Sequence, residues 1–106
     1  MSHDARVIAF SGEYDLANAQ QLADLLSPNG PPYRVVADLR DVTFMDSVAL
    51  SQLVRVHKDL TVRGGSLVLL LASSGAVRRV LEMTQLDHVI PCTDSYDDAL
   101  SLSDSA

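Results

Sequence analysis

"TFMDSVALSQLV", residues 43–54, spans the junction of two apolar patterns, with the polar pair Asp46 and Ser47 between them. Upstream, "RVVADL" (34–39) is a short β-branched run of the kind buried in a parallel sheet. Downstream, residues 47–62 wound at ~100° per residue put Ala49, Leu50, Leu53, Val54, Val56, His57 and Leu60 on one arc. Ser47, Ser51, Gln52, Arg55, Lys58 and Asp59 fall on the opposite arc, with Val48 and Val62 as apolar intruders among them. The stretch therefore reads as a strand that runs out near Asp46 and an amphipathic helix that opens there. An acid and a serine stand at the junction.

The same reasoning extends to both ends of the chain. "ARVIAFS" (5–11) predicts a first strand, and the spacing of Leu16, Ala19, Leu22, Ala23 and Leu26 predicts a helix from about Asp15 to Ser27. The central helix should stop at Gly64 and Gly65, since glycine accepts the left-handed turn of a C-terminal cap. "SLVLLLA" (66–72) predicts the most buried strand. "SSGAVRRVLEMTQL" predicts a helix capped by Ser73 or Ser74, with Val77, Val80, Leu81 and Thr84 on one side. "HVIP" (88–91) predicts a last short strand, and "SYDDALSLS" a terminal helix that frays beyond Leu102. Strands alternating with helices give one α/β domain over residues 1–106, its core about 5–102, with a mostly parallel sheet of roughly four or five strands and about four helices.

Composition narrows the function. The net charge of −6, with 8 Lys and Arg thinly spread, argues against nucleic acid and against an anionic membrane surface as partners. The lone Cys92 cannot form an internal disulfide and suits a reducing compartment. "MSHDARVIAF" lacks the basic start and long apolar run of a signal peptide, and "LVLLLA" (67–72) is too short to cross a bilayer. The expectation is a soluble, cytoplasmic domain.

Ser47 has two readings at this point, and both stay open. Ser and Asp favour helix N-termini because their oxygens accept free backbone N–H groups, so "DS" can be structural alone. A phosphate on Ser47 would also meet the positive end of the helix and free N–H donors, so the fold could carry it. Val48, beside Ser47, Ser51, Gln52 and Arg55, is read as an exposed apolar residue at the centre of a protein-binding patch.

Taken with its neighbours, "DLRDVTFMDSVALSQLV" resembles the signature of STAS domains, in particular the small anti-sigma factor antagonists (anti-anti-sigma factors) of bacteria. Their pattern is an apolar strand ending in Asp-Leu, a short turn, then Met-Asp-Ser-Ser/Thr-Gly-Leu. "FSGEYDLANAQQL", "RGGSLVLL" and "AVRRVLEMTQLDHVIPCTDSYDDAL" resemble three further family segments, in the family's order. The resemblance implies that Ser47 is the phosphoacceptor, with Asp46 and Asp15 near it. It also implies partner switching: the unphosphorylated domain binds an anti-sigma factor that is a serine kinase, phosphorylation of Ser47 weakens the complex, and a phosphatase resets it. On this reading the chain is no enzyme and carries no cofactor. Its partner-binding residues would be Asp15, Asp46, Val48, Ser51, Gln52 and Arg55, with weak self-association left open.

Val48 stands where the family has Ser or Thr, Ala49 where it usually has Gly, and Gln85 where it has Gly after the third helix. The first two departures favour an alternative, a scaffold of the same fold that binds constitutively through the Val48 face. The retained Asp46–Ser47 pair favours the switch. Other chemistries find less support. His3, His57 and His88 lack metal-ligand spacing with one another or with Cys92, and His57 reads as a satisfied core or boundary histidine. Glu13, Asp15, Asp38, Asp41 and Asp46 near strand ends suggest a phospho-aspartate receiver, but the only lysine, Lys58, lies mid-helix. Asp38 and Asp41 are read as solvated loop acids.

Overall fold

A computed structural model describes residues 5–27 and 30–104; His3 lies outside them. In chain order the elements are β1 (Arg6–Tyr14), α1 (Ala19–Leu26), β2 (Arg34–Met45), α2 (Ser47–Val62), β3 (Ser66–Leu70), α3 (Ala76–Met83), a 3-10 turn (Leu86–His88), β4 (Cys92–Thr93) and α4 (Tyr96–Asp104). The sheet has four strands in the order β1-β2-β3-β4, every neighbouring pair parallel. This is the α/β architecture expected from the alternating pattern.

Strand alternation divides the interior in two. Val35, Ala37 and Leu39 of β2, with Leu67, Leu69 and Leu71 in and after β3, join the main core with α1, α2 and α3. Val36, Val68 and Leu70 point the other way, into a smaller cluster with Ala99 of α4. Both faces of β3 are covered, which is why its sequence is an unbroken apolar run. On α2, Ala49, Leu50, Leu53, Val56 and Leu60 are buried, while Val54 and His57 are half-buried at the edge of the predicted arc. The helix ends as expected: Gly64 takes φ +81°, and the Gly65 N–H donates to the Leu60 carbonyl at 2.8 Å.

Several boundaries differ from the sequence reading. Neither β1 nor β2 stops where its apolar run does; they continue side by side to the pair Tyr14–Met45, through two register shifts. The expected turn before Met45 is therefore strand, a ribbon reaching past β3, with Arg40, Asp41, Thr43 and Phe44 exposed. At α1 the helix begins at Ala19, because residues 15–18 form a turn. For α3 the cap is Gly75, with no side-chain hydrogen bond, rather than Ser73 or Ser74. Val77 and Leu81 carry its buried face, while Thr84 is exposed and its hydroxyl donates to the Val80 carbonyl at 2.7 Å.

"HVIP" is no strand. His88 ends the 3-10 turn, Ile90 drops into the main core, and the pairing to β3 falls on Cys92 and Thr93. Gln85 opens that turn in the left-handed region, φ +60°, the conformation that a glycine there would adopt without strain. The terminal helix does not fray at Leu102: Ser103 is buried, the Ser66 hydroxyl donates to its carbonyl at 3.3 Å, and Asp104 pairs with Arg34 at 3.5 Å.

Candidate functional site

Met45 is the last residue of β2 and is buried, which fixes Asp46 at the mouth of α2. The Asp46 backbone is extended (φ −91°, ψ −179°), as a cap requires, and its Oδ1 accepts from the Ala49 N–H at 3.0 Å. Its Oδ2 accepts from the Leu16 N–H at 3.1 Å, and its own N–H donates to the Tyr14 carbonyl at 3.1 Å. One carboxylate therefore joins the loop after β1 to the start of α2.

That division of labour leaves Ser47 without the capping role. Asp46 performs the capping, and Ser47 is the first residue inside the helix, exposed, its hydroxyl without a hydrogen bond among the described residues. The N–H groups of Ser47 and Val48 likewise find no acceptor among the described residues. Ser47 is thus presented rather than used by the fold, at the positive end of a 16-residue helix.

Asp15 is exposed in the loop that Asp46 holds. Its Oδ1 accepts from the Ala17 N–H at 2.9 Å, while the Asp15 N–H donates to Asn18 Oδ1 at 2.8 Å. Asp and Asn side chains that accept nearby backbone N–H groups in this way stabilise turns against helix. The turn brings Asp15 and Asp46 to opposite ends of one short hydrogen-bonded path, at the junction where Ser47 begins α2. It also carries Leu16, 75% exposed, which the helical spacing had placed on a buried face. The signal was in "DLAN", an Asp and an Asn three apart.

Val48 is not the exposed centre of a patch. It is half-buried and packs against the main core, where its bulk serves the fold. Ala49 is completely buried, its methyl group taken up by the same core. Ser51 is exposed, and its hydroxyl donates to the Val48 carbonyl at 2.7 Å. Gln52 and Arg55 lie further along, lining a groove of about 230 Å³ between α1 and α2 with Gln20, Ala23, Ser27, Val56 and Asp59. Phe44, 46% exposed and opposite Glu13 in the β1–β2 pairing, is an apolar surface residue that the sequence reading did not single out.

The remaining acids do not converge. Asp38 lies within β2 and is no solvated loop acid: Arg40 Nε and Nη2 donate to its two carboxylate oxygens at 3.0 and 2.9 Å. The hydrogen bond from Arg40 holds the Asp38 carboxyl below its ordinary range. Among the described residues no three His, Cys, Asp or Glu side chains gather to hold a metal ion, and no helix is long and apolar enough to cross a membrane. Cys92 is half-buried, its Sγ 3.2 Å from the Ile90 carbonyl, and burial pushes its thiol up to about 11.

His57 is less satisfied than expected. Its Nδ1 is buried without a hydrogen-bond partner in the described structure, and burial lowers its pKa. A depressed pKa means that the folded state resists protonation, so the contribution to stability is full above about pH 6.5 and is lost as pH falls through the folded value. Urea unfolding at pH 7.5 and 5.5 should show a larger loss for wild type than for His57→Leu; equal losses would remove His57 from the account.

Comparison with known proteins agrees with this fold. Residues 2–99 match the family model described as STAS domain. The chain is similar in structure to a candidate anti-sigma factor antagonist from Thermotoga maritima (TM-score 0.85, 24% identity, covering 97% of this chain and 90% of that one). It is similar to an anti-sigma factor antagonist from Mycobacterium paratuberculosis (0.79, 28%, 97% and 88%). A sulfate transporter family protein from Wolinella succinogenes also shares the fold (0.74, 19%, 96% and 86%).

Proposed function

The chain belongs to the STAS domain family, and on that premise we propose that it is an anti-sigma factor antagonist switched by phosphorylation of Ser47. The unphosphorylated domain binds an anti-sigma factor that is also a serine kinase, in the cytoplasm, where ATP and sigma factors meet. The kinase transfers the γ-phosphoryl group of ATP to Ser47 Oγ. The new O–P bond forms as the bond to the bridging oxygen of ADP breaks, and the hydroxyl proton passes to a base on the kinase. A phosphatase reverses the change by hydrolysis, restoring the hydroxyl and releasing inorganic phosphate. The chain itself is the substrate and catalyses neither step.

The observation that carries this reading is the exposed, unbonded Ser47 hydroxyl beside an Asp46 that already caps the helix. A phosphate there disturbs no hydrogen bond of the fold and is favoured by the helix N-terminus. Its effect falls on whatever packs against the surface, because a bulky, hydrated dianion must be desolvated inside a contact. Similar structures include two named for the antagonist role.

The alternative is a constitutive binding module of the same fold. It is favoured by Val48, which stands next to Ser47 where the family has a hydroxyl, and by the fold's occurrence in a sulfate transporter family protein; the inward packing of Val48 removes it as the contact surface. A pull-down from native lysate with ATP and Mg²⁺, using wild type, Ser47→Ala and Ser47→Glu as baits, separates the two. The switch expects an ATPase-fold kinase on wild type and Ser47→Ala, phosphate on wild type only, and loss of the kinase from Ser47→Glu. An identical, phosphate-free set of partners on wild type, Ser47→Ala and Ser47→Glu would leave the constitutive module.

A further inference from the structure

Leu16 has the spacing of a core residue and the exposure of a surface one. Its spacing to Ala19, Leu22, Ala23 and Leu26 matches their buried stripe, yet it is 75% exposed. The loop holds it there by specific bonds. Asn18 donates from its backbone N–H to the Asp15 carbonyl at 3.1 Å and from Nδ2 to the Glu13 carbonyl at 2.9 Å. The Leu16 N–H itself is fixed on Asp46 Oδ2 at 3.1 Å. A leucine kept in water by an ordered loop is already arranged for contact, so little ordering remains to oppose binding. Glu13 and Asp15, which precede it in the chain, are exposed, and neither pairs with a cation among the described residues.

We infer that Leu16 is the apolar anchor by which this chain docks on its serine kinase, entering an apolar socket rimmed by Lys or Arg side chains that meet Glu13 and Asp15. The inference rests on the antagonist reading and adds to it a residue and a partner chemistry. The Asp46 carboxylate ties the anchor to the helix that begins with Ser47, so docking through Leu16 brings the kinase to the phosphoacceptor. Charge selects the occupant. A second copy meeting this one across a two-fold axis would set Glu13 and Asp15 against themselves, in a chain of net charge −6. An anionic membrane is opposed for the same reason.

The test titrates wild type, Leu16→Ala, Leu16→Asp and Glu13→Gln against each purified ATPase-fold serine kinase of the same genome, with ADP and Mg²⁺, by calorimetry. Val62→Ala and Met83→Ala, at positions 85% and 76% exposed, are the apolar controls. Leu16→Ala should weaken the complex roughly 30-fold or more, as a hot-spot truncation does, and Leu16→Asp further, with the controls within about threefold of wild type. Rising salt should weaken wild-type binding more steeply than that of Glu13→Gln. Unchanged affinity in Leu16→Ala, while Ser47→Glu still releases the kinase, would overturn the anchor and leave the switch standing. If no kinase binds wild type, the antagonist reading fails and the anchor with it. Self-association of wild type in sedimentation, abolished by Leu16→Asp, would give the surface to a second copy and overturn the assignment.

Discussion

Asp46→Ala should cost the fold about 2 kcal/mol, while Ser47→Ala should cost less than about 0.5 kcal/mol. The difference follows from where the two oxygens of Asp46 go. Loss of the cap to the Ala49 N–H is worth about 1 kcal/mol by itself. Loss of the charge-assisted bond to the Leu16 N–H adds roughly as much, discounted because the loop is open to water. Ser47 contributes no hydrogen bond of its own among the described residues and is exposed, so truncation removes a hydroxyl from solvent and little else. Asp46→Asn keeps one good acceptor and should fall between wild type and Asp46→Ala. Urea unfolding gives the energies, and amide exchange at Leu16 gives the mechanism: protection there should vanish in Asp46→Ala and persist in Ser47→Ala. A larger cost for Ser47→Ala than for Asp46→Ala would return the capping role to the serine. It would also weaken the case for a switch, because a phosphate would then disturb the fold as well as the surface.

The pair at 46 and 47 also shows what a sequence can and cannot convey. That a helix starts there was legible, because Ala49, Leu50, Leu53, Val56 and Leu60 repeat at helical spacing and all are buried. Which of two capping residues does the capping was not, because it depends on an extended backbone at Asp46 and on the Leu16 N–H, thirty residues away in the chain. Distance in sequence explains the other misreadings. Residues 40–44 look like a turn because Arg40, Asp41 and Thr43 interrupt the apolar run, yet they lie in β2 because Ser11–Tyr14 pairs with 41–45. Leu16 fits a helical stripe, but Asp15 and Asn18 bond each other and stop the helix from reaching it. Val48 looks exposed on an ideal wheel, yet the core reaches far enough around the first turn to take half of it. Local periodicity therefore located the start of the helix and the Asp-Ser pair that stands there. The loop that holds Leu16 out in solvent required the fold.

Gly65→Ala should be the more damaging of the two substitutions at the end of α2, at about 3 kcal/mol, even though Gly64 has the unusual backbone. Gly64 takes φ +81°, but a methyl group there would meet nothing within 4 Å, so Gly64→Ala carries only the left-handed penalty of about 1 kcal/mol. Gly65 is buried and has no room. A Cβ would stand 2.6 Å from Tyr33 Cβ and would overlap the Tyr33 carbonyl oxygen. That oxygen accepts from the Ser66 N–H at 3.1 Å, where β2 and β3 begin to pair, and the Gly65 N–H is held by the Leu60 carbonyl at 2.8 Å. The new methyl group can be accommodated only by moving α2 away from the sheet or by opening the first β2–β3 contact. Either movement loosens Leu60 and Leu67, both fully buried. A small domain holds only about 5–15 kcal/mol in total, so the loss should appear as a large drop in the urea midpoint with the slope unchanged. Equal costs at 64 and 65 would mean that helix and sheet can part here without penalty. The close contact of Gly65 with Tyr33 would then be incidental rather than what fixes the far end of the helix that presents Ser47.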